Sequence, residues 1–577
     1  MKTLINKLNY NFNYENINND FAIVKFQTSD QYIKYGAAIL DNKDICAKSI
    51  AFDKGPVFYA LFKKGDEKQL RFIDLKDPTI SFSTVDPMSV PDHLLTRLFI
   101  NFLNNFDKSS FNNLGGALYI IHKIVYGGQT IEALKLTVTR EFVIEIAATK
   151  FVQIKTAYNK VPMYTFSNKN KSFKRIYEFN DKDSIYIKEG YESKNKLNDK
   201  KVKRTVVHFL DIVNKTGKAV VMYDVINKVN KSYSNYISLH FEEIEILNNL
   251  NSLNKEFMDK TIELYNELPC YILNMSNTIE DEYGFTKIKE CIENYTGCNI
   301  RKVSKIKEDG INLVYIHDNE YYDNNKIEDP YKSLSLNIPI QRFTVENHKE
   351  YIDEDGKPLA ALKTIMKESI IKHDVFVTNK ISFDDWTKYK FENDWIFGIS
   401  KQIEDSDNTE YYFITIHPDG KFECSKFVNT LFNLDEYELY RQALAGSNGK
   451  SVLVKDDNGN INIIEQTNLF TLPNNDFYFT NDIGRGKSDR ETYYPGLLNI
   501  NYYEIDGVNY YNVGTFGTSM QSTIPRASHL YRINQINNSK NIVKNLLELM
   551  GVSFVKYNAF TVIPYPIKYL REFAKID

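Results

Sequence analysis

The chain has 577 residues, 42% hydrophobic and 25% charged, an ordinary globular balance in which large cores form without disulfides or structural metal. Lys and Arg total 72 against 75 Asp and Glu, a net charge of −3, which excludes a protein that coats nucleic acid by bulk charge but leaves room for a local basic channel. Five scattered cysteines without a CxxC, no apolar run of about 18 residues and no leader-like start predict a chain of the reducing cytoplasm, away from membranes.

Residues 1–90 read as short strands: FAIVKF, YGAAILD, VFYALFKK and QLRFIDLK cluster or alternate apolar residues between polar breakers. DHLLTRLFINFLNNF has apolar residues at helical spacing, and ALYIIHKIV, IEALKLTVT and FVIEIAATKFVQI follow as strand-like runs. The densest positive charge lies in KNKSFKR and KNKLNDKKVKR, where Lys169, Lys171, Lys174, Arg175, Lys200, Lys201, Lys203 and Arg204 are candidate contacts to a nucleic-acid backbone; a solvated loop would carry the same residues. YDVINKVNKSYSNYISLHFEEIEIL reads as a linker and a helix, continued by SLNKEFMDKTIELYNEL.

From residue 270 the pattern is α/β. DEYGFTKIKECIENYTG and LAALKTIMKESIIKHD have helical periodicity, and GINLVYIHD is a continuous apolar run that suits a buried parallel strand. Beyond 375, DWIFGISKQI, EYYFITIHPDGKFEC, SVLVKDD and IDGVNYYNVGTFGTS read as strands among the helices LDEYELYRQAL, KNIVKNLLELMG and PYPIKYLREFAK, which predicts a mixed sheet with helices on its faces.

Common catalytic signatures are absent: no GxGxxG after a strand, no GxxxxGK[ST], no HExxH, no GxSxG. The informative stretch runs from Tyr331 and Lys332 through NIPIQ, ending at Gln341, to IIKHD with Lys372 at a helix end. A ring that stacks on a base, an amide and cationic amines suit the terminal phosphate of an oligonucleotide, which carries close to two negative charges. A Lys at a helix C-terminus is also expected from the helix dipole alone.

This layout resembles the MID domain of the Argonaute family. There a Tyr, a Lys four residues later, a Gln and a Lys closing the following helix hold the 5′ phosphate of a guide strand. Tyr331, Gln341 and Lys372 match; Ser335 stands where the first Lys would be. That leaves Lys332 to reach in instead, a weakened pocket, or a pocket that reads a different 5′ end.

Downstream, the order of elements resembles the family's PIWI domain, an RNase H-like fold. Ser400 in IFGIS sits where its first catalytic Asp would be, Asp456 and Asp457 follow Lys455, and His529 falls near the last metal-ligand position. Ser is a poor Mg²⁺ ligand, so the resemblance implies a degenerate nuclease site of Ser400, Asp456, Asp457 and His529, with no catalytic residue assigned. Asp506 or Glu491 offer carboxylates for some other acidic site.

The implied architecture is α/β and bilobed: an N-terminal β-rich domain (1–155), a Lys-rich PAZ-like or linker region (156–268), a MID-like domain (269–374) and a PIWI-like domain (375–577). The implied activity is binding of a short guide RNA or DNA and guided recognition of complementary plasmid or phage nucleic acid in prokaryotic defence. Without cutting chemistry, a helicase, nuclease or other effector is the expected protein partner. The resemblance makes no cofactor certain; Mg²⁺ at the guide 5′ end is the one candidate. A guide-dependent nuclease with another carboxylate set and a scaffold that binds no nucleic acid are the alternatives.

Overall fold

The computed structural model describes residues 2–28, 47–53, 56–72, 80–103, 116–125, 130–154, 163–166, 174–180, 186–192, 205–210, 218–250, 256–276, 281–334, 338–403, 408–428, 435–445, 451–472, 500–513, 528–536, 539–540, 542–552 and 561–575. The chain divides into two compact units. One comprises Thr3–Ile244 with Asn468–Gly484; the other comprises Met1–Lys2, Glu245–Thr467 and Arg485–Asp577.

The first unit contains a four-stranded antiparallel sheet built from Phe21–Thr28, Ser49–Phe52, Val57–Lys63 and Ile80–Val85. The helix Asp92–Phe102 follows, with Leu94, Leu95, Leu98 and Phe99 fully buried, as the spacing of DHLLTRLFINF predicts. Seven strands between Leu118 and Leu210 then close a barrel, sealed by parallel pairing of Phe209 with Tyr119. The expected boundary at 155/156 therefore cuts between two paired strands of one barrel, since Ile154 pairs with Met163. A closed barrel leaves no unpaired edge, so neither half of it stands alone as a domain.

Two expectations for this unit are corrected. QLRFIDLK does not open as a strand, because Gln69–Phe72 lie within the 3-10 helix Asp66–Phe72. The stretch expected as linker and helix is a helix first, Lys218–Ser232, and then the strand Ile237–Glu245. Alternation in ISLHFEEIE buries Ile237, Leu239 and Ile244, a period of two that outweighs its helix-forming glutamates. YGAAILD lies outside the described residues.

The second unit carries the candidate site. Its four-stranded parallel sheet runs in the order Arg301–Lys302, Cys270–Asn274, Ile311–Ile316, Ile340–Thr344. Every residue of Ile311–Ile316 is buried, as expected for a parallel strand between two neighbours and covered on both faces. The helices Glu256–Glu267, Asp281–Thr296 and Ala360–His373 pack around it. Cys270, Cys291 and Cys298 are buried free thiols of this core, whereas Cys46 lies outside the described residues.

The same unit contains the strands Trp395–Gln402, Thr409–Ile416, Phe422–Val428, Ser451–Lys455, Ile500–Ile505, Val508–Val513 and Ser528–Ile536 of a second sheet, and Ile461–Leu472 as far as Thr467. A mixed sheet is expected here, but the registers from Phe422–Val428 across to Ser451–Lys455 and on to Ile461–Leu472 are antiparallel. Those at the far side, from Ile500–Ile505 to Ser528–Ile536, are antiparallel as well. In particular Trp395–Gln402 and Ser451–Lys455 run in opposite directions, which departs from the mixed pairing that an RNase H-like sheet implies. No described helix is long and apolar enough to cross a membrane.

Candidate nucleic-acid interface

Three chain segments meet at the start of the strand Ile340–Thr344. The first is a short turn in which Asp329 caps Pro330–Ser333 by accepting from the Tyr331 N–H at 2.9 Å. This turn leaves the Tyr331 ring packed beside Val314, Ile316, Tyr322 and Ile340. The Arg342 guanidinium lies over that ring, 5.5 Å from its centroid, so a cation already covers one face. Burial pushes the Tyr331 hydroxyl pKa up, against the pull of Arg342.

The second segment is the strand itself. Gln341 pairs with Leu313, is 9% exposed, and its Oε1 has no hydrogen-bond partner. The third is the helix Ala360–His373, whose last turn bears Lys372. Lys372 Nζ donates to the Ile340 carbonyl at 2.7 Å, which places its ammonium one residue from Gln341. Burial lowers the Lys372 pKa, and the negative charge of Glu572 opposes that shift.

Glu572 belongs to a fourth contributor, the closing helix Pro566–Phe573, which starts with Pro at its first position, where the missing N–H costs nothing. Glu572 is 0% exposed. Its Oε1 accepts from Lys568 at 3.0 Å and Lys575 at 2.8 Å, while its Oε2 has no hydrogen-bond partner. Lys568 also reaches Glu368 at 2.6 Å. Burial drives the Glu572 pKa up, but Lys568, Lys575 and Lys372 outweigh it and hold the carboxyl below its ordinary value. Lys372 thus lies against the backbone beside Gln341, whereas Tyr331 packs on the Val314–Ile316–Ile340 face of the sheet and Gln341, level with Leu313, alternates to the other face. The structure adds Lys568, Lys575, Glu572 and Arg342, which sequence reading did not name. The Lys568–Glu572 spacing of four in PIKYLREF was the available signal. Lys332 is exposed, and Ser335 lies outside the described residues.

The site does not suit Mg²⁺. A hard cation needs several oxygen ligands, whereas lysines surround the one carboxylate with an unpartnered oxygen.

The four residues grouped as a degenerate nuclease site do not converge. Ile396 pairs with Lys455, so Asp456 lies level with the start of the strand Trp395–Gln402. Ser400 stands five residues further along it, about 17 Å away at strand rise. His529 opens a strand separated from Ser400 by two others, about 14 Å at strand spacing, and its Nδ1 lies 3.1 Å from the Thr467 carbonyl. Asp456 is 2% exposed and accepts from Asn458 N–H at 3.0 Å, Asn460 N–H at 2.7 Å and Asn460 Nδ2 at 2.9 Å. Asp457 accepts from the Glu392 N–H at 3.3 Å. The Asp456 carboxylate shapes a hairpin turn, and Asp457 ties that turn to Glu392. Asp506 occupies another hairpin turn, at φ 51 beside Gly507 at φ 75, the left-handed pair of a two-residue turn. Glu491 lies outside the described residues, and among the described residues no group of three His, Cys, Asp or Glu is placed to hold a metal.

Of the basic candidates upstream, Lys174 and Arg175 open the barrel strand Lys174–Asn180, with Cα partners Glu192 and Tyr191. Lys169, Lys171, Lys200, Lys201, Lys203 and Arg204 lie outside the described residues.

No protein-family model matches the chain, and no curated protein matches it. Solved structures of Marinitoga piezophila Argonaute are similar to it over nearly the full chain. One, in complex with 5′ OH guide RNA and target DNA, has a TM-score of 0.47 at 10% identity, covering 98% of each chain. Another, in complex with 5′ OH guide RNA, has a TM-score of 0.41 at 10% identity, covering 99% of this chain and 98% of that one.

Proposed function

We propose that the chain holds the 5′ end of a short guide strand, RNA or DNA, and uses the guide's bases to recognise a complementary strand. What supports this reading is the gathering of Lys568 and Lys575 on Glu572, with Lys372 and Tyr331 near enough to feel that charge and Lys372 bonded to the backbone beside Gln341. Tyr331 supplies a ring for the first base, Lys372, Lys568 and Lys575 supply charge for the terminal phosphate, and exposed Lys332 stands at the rim. Sequence specificity then comes from base pairing while the protein holds backbone and shape.

We propose further, from the Argonaute resemblance, that the target is plasmid or phage nucleic acid in prokaryotic defence, with a helicase, nuclease or other protein as effector. Support for a separate effector comes from the spread of Ser400, Asp456, Asp457 and His529, which share no metal-binding geometry. The test is to purify the protein from cells, extract what it carries, and characterise sugar, length and 5′ end. Short strands with a uniform 5′ terminus are expected. Recovery of none, together with no affinity for synthetic oligonucleotides, refutes the reading. A salt series separates it from a protein scaffold, because phosphate binding weakens steeply with salt.

A further inference from the structure

The lysines of the candidate pocket are not waiting for an anion; they already hold one. Glu572 is 0% exposed, with Lys568 at 3.0 Å and Lys575 at 2.8 Å on a single oxygen, and Lys372 near enough for the two charges to shift each other's pKa. Its second oxygen is buried without a partner, which costs about 1–3 kcal/mol for a group of this kind. Glu572 also sits in the last turn of Pro566–Phe573, where the helix dipole disfavours negative charge. Two unfavourable features are therefore offset by the surrounding cations, in a position where a terminal phosphate of a bound strand would find those same cations.

We propose that Glu572 is an internal occupant of the anion site, a carboxylate that a strand's terminal phosphate displaces on binding. The inference rests on the end-binding reading above and adds the regulation of that site. In the free protein the Glu572 carboxylate neutralises the lysines and keeps their side chains gathered. On binding, the phosphate takes over the ammonium contacts of Lys568, Lys575 and Lys372, and the carboxylate turns outward. No covalent step is involved. The exchange keeps the lysine cluster neutralised throughout, so binding is slower and weaker than the lysines alone would give, and selective for an anion that outbids a carboxylate. A dianionic phosphate with three acceptor oxygens does so.

The experiment compares full-length wild type with Glu572→Gln, using one labelled oligonucleotide in three forms: 5′-phosphorylated, 5′-hydroxyl and circularised. Gln keeps the size and one acceptor oxygen while removing the charge. Glu572→Ser is the second variant, used if the amide does not fit, and thermal melting checks that each variant folds. The expected result is that wild type prefers the phosphorylated end, and that removing the charge tightens this form at least tenfold while the circular strand changes less than twofold. If loss of the charge leaves binding of the phosphorylated strand unchanged or weakens it, while wild type still prefers that end, displacement is wrong and Glu572 is a structural or ligand-holding group. If wild type binds all three forms equally, end binding itself fails.

Discussion

Asp374 should make the second unit less stable as pH rises through neutrality. It follows Lys372 and His373 and is 1% exposed. Its Oδ2 accepts from the Ser382 N–H at 3.0 Å, the Ser382 hydroxyl at 2.7 Å and the Tyr569 hydroxyl at 3.2 Å, so it ties the end of Ala360–His373 to the closing helix. Burial raises its pKa from 3.8 to about 7, and these hydrogen bonds only partly oppose the shift. The folded state therefore binds the proton more tightly than the unfolded state. Its contribution is fully present below about pH 4, is lost as pH rises, and is gone above about pH 7. The whole gap is worth about 4 kcal/mol, of which about 2 falls between pH 5 and pH 7. Asp374→Asn removes the titration and exchanges one acceptor for a donor, at about 1 kcal/mol. The two tryptophans, Trp386 and Trp395, both lie in this unit's core, so their fluorescence during denaturant unfolding reports it selectively. Asn should be slightly less stable than Asp at pH 5 and more stable at pH 8. A stability difference that is the same at both pH values refutes the argument.

Lys372→Ala should cost at least tenfold in affinity for a 5′-phosphorylated strand and little for a circular one, measured by fluorescence anisotropy; equal losses for both would make Lys372 merely structural. Asp456→Ala should lower the stability of the second unit by about 2–3 kcal/mol, because three N–H donors lose their acceptor. Its strand binding should be unchanged; a Mg²⁺-dependent cleavage lost in this variant would instead make Asp456 a metal ligand. Gly507→Val should cost about 1–3 kcal/mol, since a branched side chain is strained at φ 75; a neutral effect by the same fluorescence assay would contradict the turn geometry.

The parts of the fold that sequence made legible are those governed by local pattern. GINLVYIHD reads as a buried parallel strand because only covering on both faces permits an unbroken apolar run. LAALKTIMKESIIKHD and PYPIKYLREFAK read as helices from their spacing. Reading IDGVNYYNVGTFGTS as one strand passes over Asp506–Gly507, the two-residue turn between Ile500–Ile505 and Val508–Val513. What stayed hidden depends on strand direction and register. The order Ser400, Asp456, His529 along the chain is compatible with a common site, yet antiparallel pairing of Trp395–Gln402 with Ser451–Lys455 puts Ser400 and Asp456 at opposite ends. Nothing local to SVLVKDD tells which way the strand runs. The barrel was illegible for a related reason: its closing pair, Phe209 with Tyr119, joins residues far apart in the chain.

On the proposed reading, a chain of net charge −3 has to recognise a polyanion without bulk attraction. Bulk attraction is absent, so affinity has to come from a few ammonium groups brought to one place, and such groups repel each other unless a counter-charge is built in. Lys568 illustrates the balance: burial alone would lower its pKa, but Glu572 and Glu368 outweigh burial and raise it, so the amine stays charged in a half-buried setting. Under the displacement proposal, the carboxylates that neutralise the cluster are the same ones that would compete with its ligand. Removing them wholesale would not give a better binder, because the lysines would lose the charge that holds them together. Glu368 contacts only Lys568 among these lysines, at 2.6 Å, whereas Glu572 contacts two and is felt by the third. That difference makes Glu572 the residue at which foldability and binding are most directly opposed.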